Sequence, residues 1–272
     1  MRFNLIGTLL LCTAVLSACS EDEITIEEMP PEDIYARAEA YLNDGNPFDA
    51  ATDFAEVERL YPYSAWAKRA MIMSAYSYYG AADYEASQSA ARRFIEFYPS
   101  DPDTAYARYL IALGYYDQIV DVGRDQDKTT SALQALRDII ERHPDTEFAR
   151  DAELKFDFVL NHLAGKEMEI GRYYLKRGHS FAAIERFKAV IEEYDRTNHT
   201  EEALHRMVEA YMALGLEGEA RETAAVLAFN FPGSEWYEET FALVQSGGTR
   251  NASGQGTWLG AFWRQVIRGE WL

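Results

Sequence analysis

The chain has 272 residues, 26 Lys and Arg against 45 Asp and Glu, a formal net charge of −19 at pH 7, and 14% aromatic residues that include 18 Tyr. That balance argues against a sequence-independent grip on nucleic-acid phosphates or on an anionic membrane surface. The only two cysteines are Cys12 and Cys19, so the rest of the chain has no thiols and must draw its stability from a packed core.

The chain opens with Arg2, an apolar stretch from Leu5 to Leu16, and the small residues Ser17 and Ala18. A basic start, a short apolar centre and a small-residue exit make a secretory signal. The run is too short for a membrane-spanning helix, which needs about 20 apolar residues. Leu16-Ser17-Ala18-Cys19 resembles a bacterial lipobox. The resemblance implies cleavage before Cys19, which then carries diacylglycerol and an N-acyl chain; no other cofactor is expected. Three acyl chains at about 0.8 kcal/mol per buried methylene hold far better than one. Ser20, in place of Asp, implies an outer-membrane address. Residues 1–18 are therefore expected to be a lipoprotein signal peptide and 19–31 an acylated tether. Loss of Arg2 with the leader takes the charge to −20. Extended, the acidic segment from Ser20 to Pro31 reaches at most about 40 Å.

Beyond the tether a repeat is legible. Tyr41, Tyr78 and Tyr115 are spaced by 37 residues, as are Tyr174 and Tyr211. A small residue follows four of these tyrosines by nine positions: Ala50, Ser87, Ala183 and Ala220. Twelve positions further come Pro62, Pro99, Asp195 and Pro232. The third unit keeps the twelve-residue step from Ala132 to Pro144, but eight extra residues precede it, a turn over "DVGRDQDK" (121–128). Gly45, Gly178 and Gly215 stand at the turn between helices, and Phe54 and Phe187 fill a large position in the second helix. This is the pattern of tetratricopeptide repeats, with two antiparallel helices per unit and a Pro ending the second. The predicted fold is all-α: a solenoid of five helix pairs with a concave groove. Fourteen residues inserted before the fourth unit keep a helical pattern, which predicts one helix over 148–178, about 46 Å long, linking repeats 3 and 4. The expected organisation is repeats 1–3 over 32–145, the long helix with repeats 4–5 over 146–244, and a linker and tail over 245–272.

In such repeats the first helix of each pair faces the groove. The register places Tyr35 there from unit one, Ile72, Tyr76 and Tyr79 from unit two, and Tyr106, Tyr109 and Tyr116 from unit three. Rigid amphipathic rings suit an extended peptide. The alternative is that these tyrosines pack against one another or under a neighbouring helix.

Two blocks, "FAEVERLYPYSAWAKRAMIMSAYSYY" (54–79) and "KEMEIGRYYLKRGHSFAAIERFKAVIEEY" (166–194), resemble the BamD family of outer-membrane β-barrel assembly lipoproteins. The likeness extends over about residues 16–235. It implies a lipid-anchored protein on the periplasmic face of the outer membrane. Its partners would be a BamA-like barrel protein, docked through POTRA domains, other lipoproteins of the assembly complex, and unfolded outer-membrane protein precursors. It implies that Arg186 pairs with an acidic POTRA residue, with Tyr173, Lys176 and Arg177 beside that contact. Taken alone, Arg186 would be a solvated residue paired with Glu185 or Glu192.

The tail begins with a linker, "SGGTRNASGQGT" (246–257). "WLGAFWRQVIRGEWL" then sets Trp258 and Phe262 beside Trp263, opposite Arg264 and Arg268, as a short amphipathic helix for a partner groove or the membrane interface. Catalysis is not expected. There is no G-x-S-x-G, H-E-x-x-H or P-loop, and His143, His162, His179, His199 and His205 lack metal-ligand spacing. Asp121, Asp125 and Asp127 lack the following Glu that a calcium loop requires. The interaction-class alternative is a pilotin-like repeat lipoprotein that assists secretin assembly.

Overall fold

The computed structural model describes residues 25–247. The leader, Cys19, most of the tether, and Trp258, Phe262 and Trp263 lie outside the described residues. Within them the chain is all-α, with eleven α-helices and one short 3-10 turn and no strand. The described residues divide into two compact units, with the division between residues 81 and 82.

The first unit holds α1 (Pro31–Asn43), α2 (Pro47–Leu60) and α3 (Ala65–Gly80). Pro31 and Pro47 occupy the first helical positions, where the missing N–H costs nothing and the fixed φ suits a helix. Ser64 caps α3, its Oγ accepting from Ala67 N at 3.1 Å. The core of this unit is Ile34, Tyr35, Ala38, Ala50, Phe54, Val57 and Ala70. Asp53 is buried at its edge and takes two hydrogen bonds from Arg37, at 2.6 and 3.0 Å.

The second unit runs through α4 (Tyr84–Phe97), α5 (Thr104–Tyr116), α6 (Asp127–Arg142), α7 (Glu147–Lys176), α8 (Ser180–Glu193), α9 (Thr200–Ala213), α10 (Glu217–Asn230) and α11 (Glu235–Gly247). Successive helices pack as neighbours from α4 to α11. The repeat register is visible in the packing: Ala50, Ser87, Ala132, Ala183 and Ala220 are fully buried. Pro62, Pro99, Pro144 and Pro232 each stand two residues past the end of a helix. Gly45, Gly178 and Gly215 adopt φ of +78°, +77° and +72° at the turn after the first helix. The second repeat carries Ala82 at that turn, also left-handed at φ +58°.

Two boundaries differ from expectation. The eight-residue insertion appears as the break 117–126, because Asp127 and Lys128 already belong to the first turn of α6. An acidic residue there meets the positive end of the helix dipole. The break is held by Asp121 Oδ1 accepting from Gly123 N and Asp125 Oδ1 accepting from Asp127 N, at 2.8 and 3.3 Å. The long helix α7 spans 30 residues, about 45 Å. Ala152, Val159 and Leu163 in α7 join a core with Ala112, Ala132, Leu136 and Ile139. Ala164 and Met168 join a second core with α8, α9 and α10. α11, absent from the sequence reading, closes the second core with Trp236, Tyr237, Leu243 and Val244.

Candidate functional site

The expected docking surface lies on the α7–α8 hairpin. Its two helices approach closely at Gly171, which the ring of Phe187 covers. Arg186, one residue before Phe187, donates from Nη1 to Glu167 Oε2 at 3.0 Å, with 43% of the Arg side chain and 21% of the Glu side chain exposed. Its local partner is thus Glu167 on the facing helix and not Glu185 or Glu192. The other three expected residues gather at the tip of the hairpin. Tyr173 is 53% exposed, and the Arg177 guanidinium stacks over its ring at 4.8 Å. Lys176 is the last residue of α7 and is exposed. Lys176 lies nine positions after Glu167, a rise of about 13 Å along the helix. The hairpin therefore offers a basic aromatic tip and, lower down, a half-exposed guanidinium on a largely buried carboxylate.

The tyrosines assigned to the groove fall into three environments. In the first unit Tyr35 is only 8% exposed, with its ring centroid 5.0 Å from Phe54 and 4.9 Å from Trp66. It is a core residue and not a lining one, because Trp66 at the start of α3 covers it. Burial, with the nearby Glu39 carboxylate, raises its hydroxyl pKa. Tyr76 is 44% exposed on α3, and Tyr79 is half-buried.

In the second unit the tyrosines of α5 meet the added length of α7. Phe148 lies against Tyr106 and Tyr109, with centroids 5.3 and 5.4 Å away. Tyr109 donates its hydroxyl to Asp151. Lys155 also donates to Asp151, at 2.6 Å, and stands 5.6 Å from the Tyr116 ring centroid. Burial pushes the Asp151 carboxyl upward, but the two hydrogen bonds outweigh it and leave the pKa below its ordinary value. Phe158 packs edge-on to Tyr116 at 5.7 Å and is itself 52% exposed, with Leu154 one turn earlier at 72%. The sequence reading missed Phe148, Leu154 and Phe158. The signal was present, since Leu154 and Phe158 are four apart on a helix already recognised.

This aromatic surface continues into a cavity of about 450 Å3 where both insertions meet. Val122 comes from the loop before α6, Phe158, His162 and Glu169 from α7, and His199 from the turn before α9. Among the described residues no group of three or more His, Cys, Asp or Glu is placed to hold a metal ion. No described helix is long and apolar enough to cross a membrane.

Comparison with known proteins adds a family. A family model described as "YfiO: Outer membrane lipoprotein" matches residues 27–227. The chain is 47% identical to the outer membrane protein assembly factor BamD of Caulobacter vibrioides over 246 residues, covering 89% of this chain and 81% of that one. It is 40% identical to BamD of Rickettsia prowazekii, covering 89% and 97%. Among solved structures, a tetratricopeptide-repeat protein of Thermus thermophilus aligns with 80% of this chain and 98% of its own, at a TM-score of 0.36 and 15% identity.

Proposed function

Since the chain belongs to the BamD family of outer membrane lipoproteins, we propose that it is an outer membrane protein assembly factor. In this reading Cys19 carries the diacylglycerol and N-acyl chains and holds the repeats on the periplasmic face of the outer membrane. The α7–α8 hairpin docks on the POTRA domains of a BamA-like barrel protein. The aromatic surfaces around Tyr76 and Tyr79 in one unit, and around Tyr106, Tyr109 and Tyr116 in the other, receive unfolded barrel precursors. Trp258, Phe262 and Trp263 add a contact to a partner or to the membrane interface. The role is one of binding and positioning, with no catalytic step.

The observation that supports the docking surface is the half-exposed guanidinium of Arg186, paired with the largely buried Glu167. Water screens the exposed face of this pair, and the half-exposed guanidinium can reach a partner carboxylate without first being uncovered. A guanidinium carries five N–H donors, and its contact with Glu167 uses one of its nitrogens. A desolvated Arg–carboxylate pair at an interface then fixes register.

The test is copurification of the tagged full chain from detergent-solubilised outer membranes. Arg186→Glu is expected to lose the BamA-like protein while keeping its helical circular dichroism. Normal recovery of that partner would overturn the docking assignment, and recovery of a secretin instead would favour the pilotin reading.

A further inference from the structure

A cavity of about 430 Å3 between α4, α5 and α6 belongs to none of the surfaces above. Arg92, Arg108, Ser131, Gln134 and Asp138 give it polar groups, and Ile95 and Ile111 give it apolar walls. Arg92 is held by donating from Nη2 to the Tyr115 hydroxyl at 2.8 Å. Arg108 pairs through Nη1 with Asp138, which also accepts from Arg142 Nε. Lys128 stands 5.7 Å from the Tyr115 ring centroid. Two arginines thus share Asp138, and Arg92 and Lys128 meet at Tyr115 beside them, in a chain whose formal net charge is −19. Neighbouring His143 registers the same field: burial first, then Arg108 and Arg142, hold its pKa low against the opposing pull of Asp138.

A second observation sorts the donors. The Nε–H of Arg108 is buried with no acceptor. A buried guanidinium donor left unsatisfied is costly, and Asp138 is already shared between two arginines. That N–H is closed to solvent and to an incoming group alike, so the donors open to an anion are those of Arg92, whose contact with Tyr115 uses one of its nitrogens. Guanidinium, amide and hydroxyl donors suit a carboxylate, and the isoleucine walls suit an apolar stem that free phosphate lacks.

We propose that this cavity binds a carboxylate of a partner polypeptide, seated between Arg92 and Arg108 with an adjoining apolar side chain against Ile95 and Ile111. The site is independent of the docking hairpin and of the aromatic surfaces. It gives an acidic protein a further place to take an acidic segment.

The experiment follows the arginine Nε–H signals of the isotopically labelled full chain by NMR. Three acetyl-capped tetrapeptides are titrated: one ending in leucine with a free terminal carboxylate, the same peptide amidated, and an amidated peptide with one internal glutamate. At least one carboxylate peptide is expected to shift the Arg108 Nε–H signal saturably and to bind roughly tenfold tighter than the amidated control, as a charged hydrogen bond requires. Which of the two binds tells a chain terminus from an acidic side chain. Arg92→Gln, an exposed position, is expected to weaken that binding several-fold with an unchanged unfolding curve. Equal binding of the amidated control, no binding of either carboxylate, no effect of Arg92→Gln, or displacement by inorganic phosphate at equal concentration would each overturn the proposal.

Discussion

A Cβ on Gly171 would lie 2.4 Å from Cε1 of Phe187, closer than real side chains approach. The ring of Phe187 is fully buried, with no room to retreat. The four counterparts of Gly171 in the repeat register are Ala38, Ala75, Ala112 and Val208, all buried. Gly171→Ala is therefore expected to lower stability by about 1–3 kcal/mol through overpacking. Urea unfolding followed by circular dichroism measures it. Phe187→Leu placed on top of Gly171→Ala should recover part of the loss, since it shortens the ring that clashes.

Ala82 is the one described non-glycine residue with positive φ, at the turn where three other repeats carry Gly. An L-residue in the left-handed region carries about 1–2 kcal/mol of strain, from which the greater unfolded-state freedom of Gly subtracts. Ala82→Gly is expected to stabilise the chain by up to about 1 kcal/mol. A lower melting temperature for this variant would contradict the turn assignment.

Arg37 and Asp53 form a two-point pair with the carboxylate buried. Removing the guanidinium strands that carboxylate. With Arg37 itself one-third exposed, the cost of Arg37→Ala is expected near 2 kcal/mol, below the 3–5 of a fully buried pair. Arg37→Ala with Asp53→Ala should cost clearly less than the two single losses added together, as a double-mutant cycle would show.

Acid should loosen the C-terminal end of the second unit. His205 is buried beneath α11, with Nδ1 2.8 Å from Thr240 Oγ1 and Nε2 3.7 Å from both Glu209 and Glu239. Burial is the largest influence and lowers its pKa. The carboxylates of Glu209, Glu239 and Glu202 oppose it, and Arg206 adds to it. His199 and His143 are also lowered, by burial first and then by Arg172 and Arg108 respectively. Each of these histidines binds a proton more readily in the unfolded chain, where its pKa is about 6.5. Stability is then fully present above that pH and is lost as pH falls through the unfolded value toward the folded one. The urea midpoint is expected to drop between pH 7.5 and pH 5.5. His205→Asn should flatten that slope while keeping a partner for Thr240, and an unaltered slope would remove His205 from the account.

The repeat frame was legible because close helix packing leaves a mark in composition: a small residue must recur where two helices touch, and the tyrosine nine positions earlier recurs with it. The lining of the surfaces was less legible. Tyr35 obeys the register for a groove position, yet Trp66 covers it, and no periodicity within α1 reports what α3 will place there. Tyr106 and Tyr109 were located on the right helix, but the length of an insertion does not say where its side chains land. Here it lands Phe148 and Asp151 on those rings. α11 could have been read, since Trp236, Thr240, Leu243 and Val244 keep helical spacing. It lies beyond the last repeat, where the tyrosine register that marks the other helices has ended. Glu167, the partner of Arg186, lies nineteen positions away on the facing helix, beyond the reach of any local pairing rule.

Leu163 and Ala164 are adjacent in sequence and belong to different cores. In an ordinary array each repeat can open at its own boundary, because only a flexible turn joins it to the next. Here the boundary falls in the middle of a helical turn, with no peptide free to swivel. Fraying that starts at α11 cannot stop cleanly between repeats 3 and 4; it must either halt before α7 or break the helix. Amide hydrogens on both sides of residue 163 are then expected to exchange as one cooperative block. The order of assembly is constrained as well. The core under α6 cannot close until residue 163 has been delivered, so a chain entering its compartment from the N-terminus holds that core open across about twenty residues beyond the end of α6.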